Sequence, residues 1–179
     1  MKRDTLRAHL KRGGLIAYPT ESCYGLGCDP LNPRAVRKLA RLKGRPIGRG
    51  LILIADRFER FHSLIQPLRE TDRLRVMAAW PGPVSWILPA RRRAPWLRGG
   101  RAGLAVRVTA HPWAAQLCRD LGTALVSTSA NKSGGHPVKT VRECRKIFGA
   151  QVWVLEGRIG KRKRPSTLID LLTGKILRP

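Results

Sequence analysis

Acidic side chains are scarce in this chain of 179 residues: 11 Asp and Glu stand against 36 Lys and Arg, a formal charge of +25. Solubility requires nothing so extreme, and the imbalance points to an anionic partner or substrate. RNA, an acidic protein or a membrane surface would each fit such a charge, with nucleic acid the leading candidate. Cysteine is also sparse. Cys23, Cys28, Cys118 and Cys144 form no CxxC pair, nothing suggests export, and they read as reduced thiols. A zinc site built from them with His9, His62, His111 or His136 lacks the usual close spacing of ligand pairs. Long apolar runs are missing too. The opening "MKRDTLRAHLKRGG" carries charge throughout, so it is read as neither signal peptide nor membrane anchor, and the expected location is cytoplasmic. The patterns GxGxxG, GxxxxGKS/T, GxSxG and HExxH do not occur. A bound nucleotide must therefore be held in another way.

What is present is an ordinary apolar content of 42%, enough for one domain over residues 1–179, and an alternation of helix and strand signals. "DTLRAHLKRGG" spaces Leu6 and Leu10 as a helix and stops at Gly13 and Gly14, after which "LIAYPT" reads as a strand. "NPRAVRKLARLKGRP" opens with Asn32 as N-cap and Pro33 at the first helical position, and it buries Val36, Leu39 and Leu42. "LILIA" at 51–55 is apolar throughout, as a strand covered on both faces would be. "VSWILPA", "GLAVRVT" and "TALVST" are further short strands. "HPWAAQLCRDLG" and "TVRECRKIFG" are helices, the second capped by Thr140. The expected fold class is α/β with a mixed sheet. "RRRAPWLRGGRAG" and "GRIGKRKRPS" show no periodicity and read as mobile basic loops.

Four places carry chemistry. The segment "YPTESCYGLGCDP" reads as a turn beyond a strand end, where open α/β sheets tend to hold ligands, and it presents Thr20, Glu21, Ser22 and Tyr24. "KGRP" offers the point charge of Lys43 beside the planar fork of Arg45, a pair suited to phosphate oxygens or simply to a solvated surface. Arg107 lies inside "LAVRVT" on one face with Ala105 and Thr109. Such a charge needs a cleft, solvent or a partner: a substrate carboxylate would serve, as would a structural Asp or Glu. Finally "TALVSTSANKSGG" sends Ser127, Thr128, Ser129 and Asn131 out of a strand into a glycine-bearing loop. No histidine stands at a motif-defining offset, so ligand binding is a better reading than a nucleophilic serine.

Taken in order, "YPTESCYGLGCDP", "LKGRP" followed by "GLILIA", "WPGPVSWILPA", "LAVRV", "VSTSANKSG" and "RPSTLIDLLTGKILRP" resemble the YrdC family from about Gly14 to the C-terminus. Each piece is weak alone, but the ordered set is specific. The resemblance implies a twisted mixed parallel and antiparallel sheet flanked by helices around a large basic concave cleft. It also implies a reaction in which L-threonine, bicarbonate and ATP, with Mg²⁺ carried on the ATP, give threonylcarbamoyl-AMP and pyrophosphate. A separate transferase complex then uses that product to form N6-threonylcarbamoyladenosine (t6A) in tRNAs reading codons that begin with A.

By matching position, the resemblance implies that Lys43, Arg45, Ser129 and Asn131 form a KxR and SxN set around the nucleotide, with Arg178 contacting ATP. Thr20, Arg107, Ser127 and Ser166 match positions around threonine. Ile54 stands where longer family members often carry histidine, and "PIGRGL" replaces their more usual proline, so the chain resembles the short branch. A lid would then come from elsewhere, with residues 158–164 the candidate. An alternative from another class is a non-catalytic protein that binds double-stranded RNA or tRNA, or assists ribosome assembly, through the same basic cleft.

Overall fold

The computed structural model describes residues 3–44, 51–98, 102–132 and 135–179. Arg45 and the "PIGRGL" segment up to Gly50 lie outside the described residues, as does Gly134. Fourteen helices and strands are described, in the order α1 (Arg3–Lys11), β1 (Ile16–Pro19), β2 (Tyr24–Cys28), α2 (Pro33–Leu42), β3 (Ile52–Ala55), α3 (Glu70–Ala78), β4 (Val84–Pro89), β5 (Gly103–Val108), α4 (Pro112–Leu121), β6 (Leu125–Ser129), α5 (Val141–Phe148), β7 (Trp153–Val154), β8 (Thr167–Asp170) and β9 (Ile176–Arg178). Among the described residues the strands form one sheet in the order β7-β1-β2-β6-β3-β5-β4-β8-β9. β3 and β5, β1 and β7, and β4 and β8 run parallel, and the other neighbours are antiparallel. The mixed sheet expected from the sequence is present.

The helices begin where the residue types dictate. The Asn32 side chain accepts from the backbone N–H groups of Arg34 and Ala35, with Pro33 in the first turn of α2. Thr140 and Glu143 form a reciprocal capping box on α5. His111 caps α4, and Gly122, at φ 70°, ends it in the left-handed region.

Strand alternation then divides the interior in two. Leu15, Ala17, Tyr24, Leu26, Leu53, Leu88, Val106 and Val126 point to one face, where they meet α2 and Phe148 of α5 in the larger core. Ile16, Tyr18, Ile54 and Leu125 point to the other, beneath Leu6 and Leu10 of α1 and Ala114 and Leu117 of α4. These two helices reach only part of that second face. Farther along it Ile87, Ala105 and Leu168 form a small separate cluster against half-buried Ile52. "LILIA" is therefore covered fully on the Leu53 side and only at Ile54 on the other, not evenly on both.

Four elements depart from the sequence expectations. The segment expected as a turn contains β2, whose Tyr24–Cys28 pairs with β1 on one side and β6 on the other. Glycine at 25 and 27 hides it, although both are required there. A Cβ at Gly27 would stand 2.7 Å from the Val126 carbonyl oxygen and 2.8 Å from the Tyr18 ring. α3 escapes a periodicity search because it buries only Val76. β8 and β9 are short, half-exposed strands joined by a turn in which the Asp170 side chain accepts from the N–H groups of Leu172 and Thr173.

The four cysteines are free and buried. No described helix is long and apolar enough to cross a membrane.

Gly27→Ala forces contact with main chain rather than with a flexible side chain. It should cost roughly 1–3 kcal/mol, read in urea unfolding as a lower midpoint at unchanged slope.

Candidate functional site

The exposed part of the second sheet face is the floor of a cavity of about 340 Å³. Parity explains its composition. On β2, β6 and β5 five of the residues one position out of step with the larger core, Gly25, Ser127, Ser129, Ala105 and Arg107, line the cavity with Ile52 and Ile54. Gly25 keeps the floor open: a Cβ there would lie 3.0 Å from the Thr20 methyl and 3.5 Å from the Ser127 hydroxyl.

At one end Arg107 finds a carboxylate. Its Nη2 donates to Glu21 Oε2 at 3.0 Å, and the Thr109 hydroxyl donates to Glu21 Oε1 at 2.7 Å. The Thr109 hydroxyl in turn accepts from the His111 N–H. Burial pushes the Glu21 carboxyl up, but Arg107 and Thr109 outweigh it and hold it below the usual carboxylate value, so it is ionised at neutral pH. Burial likewise lowers His111, against the opposing pull of Glu21. Arg107 is 8% exposed, and its buried Nε has no hydrogen-bond partner among the described residues. Of the two partners open to this arginine from its strand position, the internal carboxylate is therefore present, with donor capacity left over.

Hydroxyls follow along the floor. The Thr20 hydroxyl closes a turn onto the Cys23 carbonyl at 2.8 Å. The Ser129 hydroxyl donates to Asn131 Oδ1 at 2.6 Å, and the Asn131 amide donates to the carbonyls of Lys132 and Gly135. At the far end Ser166 shares a hydrogen bond of 2.8 Å with Ser85. Arg178 holds Ser166 doubly, through Nε to its carbonyl at 2.9 Å and Nη2 to its hydroxyl at 3.0 Å.

Lys43 is not among the described residues that line the cavity. It is 4% exposed, and its ammonium donates to the carbonyls of Ser129 at 2.5 Å and Asn131 at 2.9 Å and to Asn131 Oδ1 at 3.3 Å. The cation at the end of α2 thus fixes the backbone of the loop after β6. Arg45, its companion in "KGRP", falls outside the described residues.

The basic segment "GRIGKRKRPS" is irregular, as expected, but it is tied down instead of loose. Gly160 N–H donates to the Thr20 carbonyl at 2.9 Å and Arg162 N–H to the Glu21 carbonyl at 3.0 Å. Arg162, Arg164, Pro165 and Ser166 form one wall of the cavity. The approach is close enough that a Cβ on Gly160 would stand 2.6 Å from the Glu21 carbonyl oxygen. The lining thus contains Arg107, Arg162, Arg164 and Arg178 against a single acid, Glu21.

Six of the residues singled out in the sequence, Thr20, Arg107, Ser127, Ser129, Ser166 and Arg178, line this one cavity. Lys43 and Asn131 are not among the described lining residues and bear on the cavity through their bonds to each other and to Ser129. Sequence reasoning passed over Ser85, whose only signal was a hydroxyl at an inward position of the apolar strand "VSWILP". It also passed over the pairing of Glu21 with Arg107, two residues 86 positions apart. Burial raises all four thiols, which suits none of them as a nucleophile.

Known proteins share this fold and much of this sequence. The Sua5/YciO/YrdC family model, described as telomere recombination, matches residues 8–179. The threonylcarbamoyl-AMP synthase of Thiobacillus denitrificans is 64% identical over 174 residues, covering 97% of this chain and 93% of that protein. The enzyme of the same name from Methylobacillus flagellatus is 54% identical over 180 residues and 100% of both chains. Among solved structures, P. abyssi Sua5 complexed with L-threonine superposes with a TM-score of 0.88 at 30% identity, covering 99% of this chain and 54% of that one. E. coli YciO gives 0.82 at 26% identity, covering 98% and 87%. The ordered motifs, the sheet and the matched length agree, and the chain belongs to the Sua5/YciO/YrdC family.

Proposed function

We propose that this protein is a threonylcarbamoyl-AMP synthase, a nucleotidyltransferase that joins L-threonine, bicarbonate and the adenylyl group of ATP. The observation that carries this reading is the single cavity in which Arg107, a row of hydroxyls and three further arginines face one another on a bare sheet face. Relatives of that name at 64% and 54% identity support it, as does the threonine-bound Sua5 that shares the fold.

The chemistry needs such a lining. The unprotonated threonine amine adds to the carbon of bicarbonate, and loss of water leaves a carbamate. A carbamate oxygen then attacks the α-phosphorus of ATP, and the bond to the bridging oxygen breaks as pyrophosphate departs. Both reactants of the second step are anions, so the site must neutralise charge and hold the pair in line. In this reading Arg107, Thr20, Ser127 and Ser166 hold threonine. Ser129, Asn131 and Arg178 serve the nucleotide, an assignment that Arg45 shares only by its place in "KGRP", and Lys43 contributes by fixing the Ser129–Asn131 backbone. No side chain serves as a covalent nucleophile.

Among the described residues no three His, Cys, Asp or Glu cluster as metal ligands, and the one acid in the cavity is already engaged. Mg²⁺ is assigned to the ATP phosphates, where it would add to the neutralisation. The product would pass to a tRNA-modifying transferase complex in the cytoplasm.

Purified protein incubated with ATP, Mg²⁺, bicarbonate and labelled L-threonine should release pyrophosphate and form a labile threonine-containing adenylate. No product under conditions where a related synthase works would refute the proposal. Lys43→Ala should abolish turnover while the protein still folds, at a cost of about 1–3 kcal/mol for carbonyls left unsatisfied, measured by urea unfolding. Gly160→Ala should lift the basic segment from Glu21 and raise the KM for threonine about tenfold with little change in global stability, a split visible by pairing kinetics with thermal melts.

A further inference from the structure

Glu21 is ionised, sits in the cavity wall and has no role in the scheme above. It is the only acid among the described residues that line the cavity, and it stands beside the arginine expected to receive the substrate carboxylate. Three attachments fix it: Arg107 on Oε2, Thr109 on Oε1 and the Arg162 N–H on its backbone carbonyl. It is thus no swinging group that leaves when substrate arrives. Arg107 and Thr109 each bond one carboxylate oxygen, and the two oxygens together have capacity for further donors. The Glu21 side chain keeps 15% of its surface exposed and that of Arg107 10%, so both charges remain within reach of a ligand.

A lone arginine would attract any carboxylate. A fixed Arg–Glu pair is neutral overall and presents a positive and a negative group side by side, which is the complement of an α-amino acid zwitterion. We infer that Glu21 is a specificity-determining residue of the threonine subsite, receiving the α-ammonium while Arg107 receives the α-carboxylate, and so selecting amino acids over hydroxy acids and simple carboxylates. This rests on the synthase reading for the identity of the substrate. It also gives the pair a directional effect. Once the ammonium has given a proton to water and the free amine has become a carbamate, the attraction to Glu21 turns to repulsion, which favours displacement toward the arginine-lined remainder of the cavity.

The test compares L-threonine with its α-hydroxy analogue, in which a hydroxyl replaces the ammonium, by calorimetric binding to the intact protein. The wild type should prefer threonine, and equal affinity for the two would overturn the inference without any variant. In Glu21→Gln, which keeps shape and hydrogen-bonding capacity, threonine affinity should fall roughly tenfold to a hundredfold. Affinity for the analogue should hold or tighten, and the KM for ATP should not move. A parallel loss of both ligands would mean that Glu21 only braces Arg107, and that outcome also overturns the inference. Glu21→Asp retains the charge and should fall between the two. If threonine binds with the stated preference but no adenylate forms, the synthase reading fails while the zwitterion subsite stands.

Discussion

A twisted sheet buries itself only where something covers both of its faces, and α1 and α4 are too few to finish the second face of this one. On the face toward α2 and α5 the alternating strand residues are large and apolar, as a closed core requires. On the other face apolar side chains give way, beyond the reach of α4, to Ser127, Ser129, Arg107 and Ser85. The polar residues lie in a patch, at the positions where strand parity meets missing helix. The cavity is therefore a consequence of coverage, and its chemistry follows from which residues the strand register aims into the gap.

Charge is arranged within that gap with economy. Burying an unpaired arginine is costly, and Arg107 at 8% exposure is tolerable because Glu21 stands opposite it. Arg178 is settled differently, by the carbonyl and hydroxyl of Ser166. Lys43 is settled by backbone carbonyls, which lets one cation set the path of the loop that follows β6. Each of these cations thus organises a segment of main chain or a side chain of the cavity.

Much of this was legible in the residues. The caps at Asn32 and Thr140 act locally, so their signals survive in a string of letters. Arg107 announced itself as a charge inside an apolar alternation. What stayed hidden depended on distance or on glycine. β2 reads as a turn because Gly25 and Gly27 remove the strand signature at the place where Thr20 and Tyr18 need room. α3 carries no stripe because it covers almost nothing. The Glu21 partnership spans 86 positions and is created only when β1, β2 and β5 are laid into one sheet. The partners of Lys43 were equally out of reach, since proximity to a helix end says where a cation starts and not which carbonyls it meets.

The basic segment between β7 and β8 has ends and a middle of unequal strength. At its start the Gly157 carbonyl accepts from the Tyr24 hydroxyl, and Gly157 itself packs against Pro19 and Trp113. At its finish Ser166 is held by Ser85 and Arg178. Between them Gly160 and Arg162 each give one main-chain bond, and half-buried Ile159 is the apolar residue that packs against the core. Local opening costs least where few apolar contacts and few hydrogen bonds must be given up. The middle of the segment is therefore the part whose opening would cost least, and the strand pairings of the sheet lie outside it.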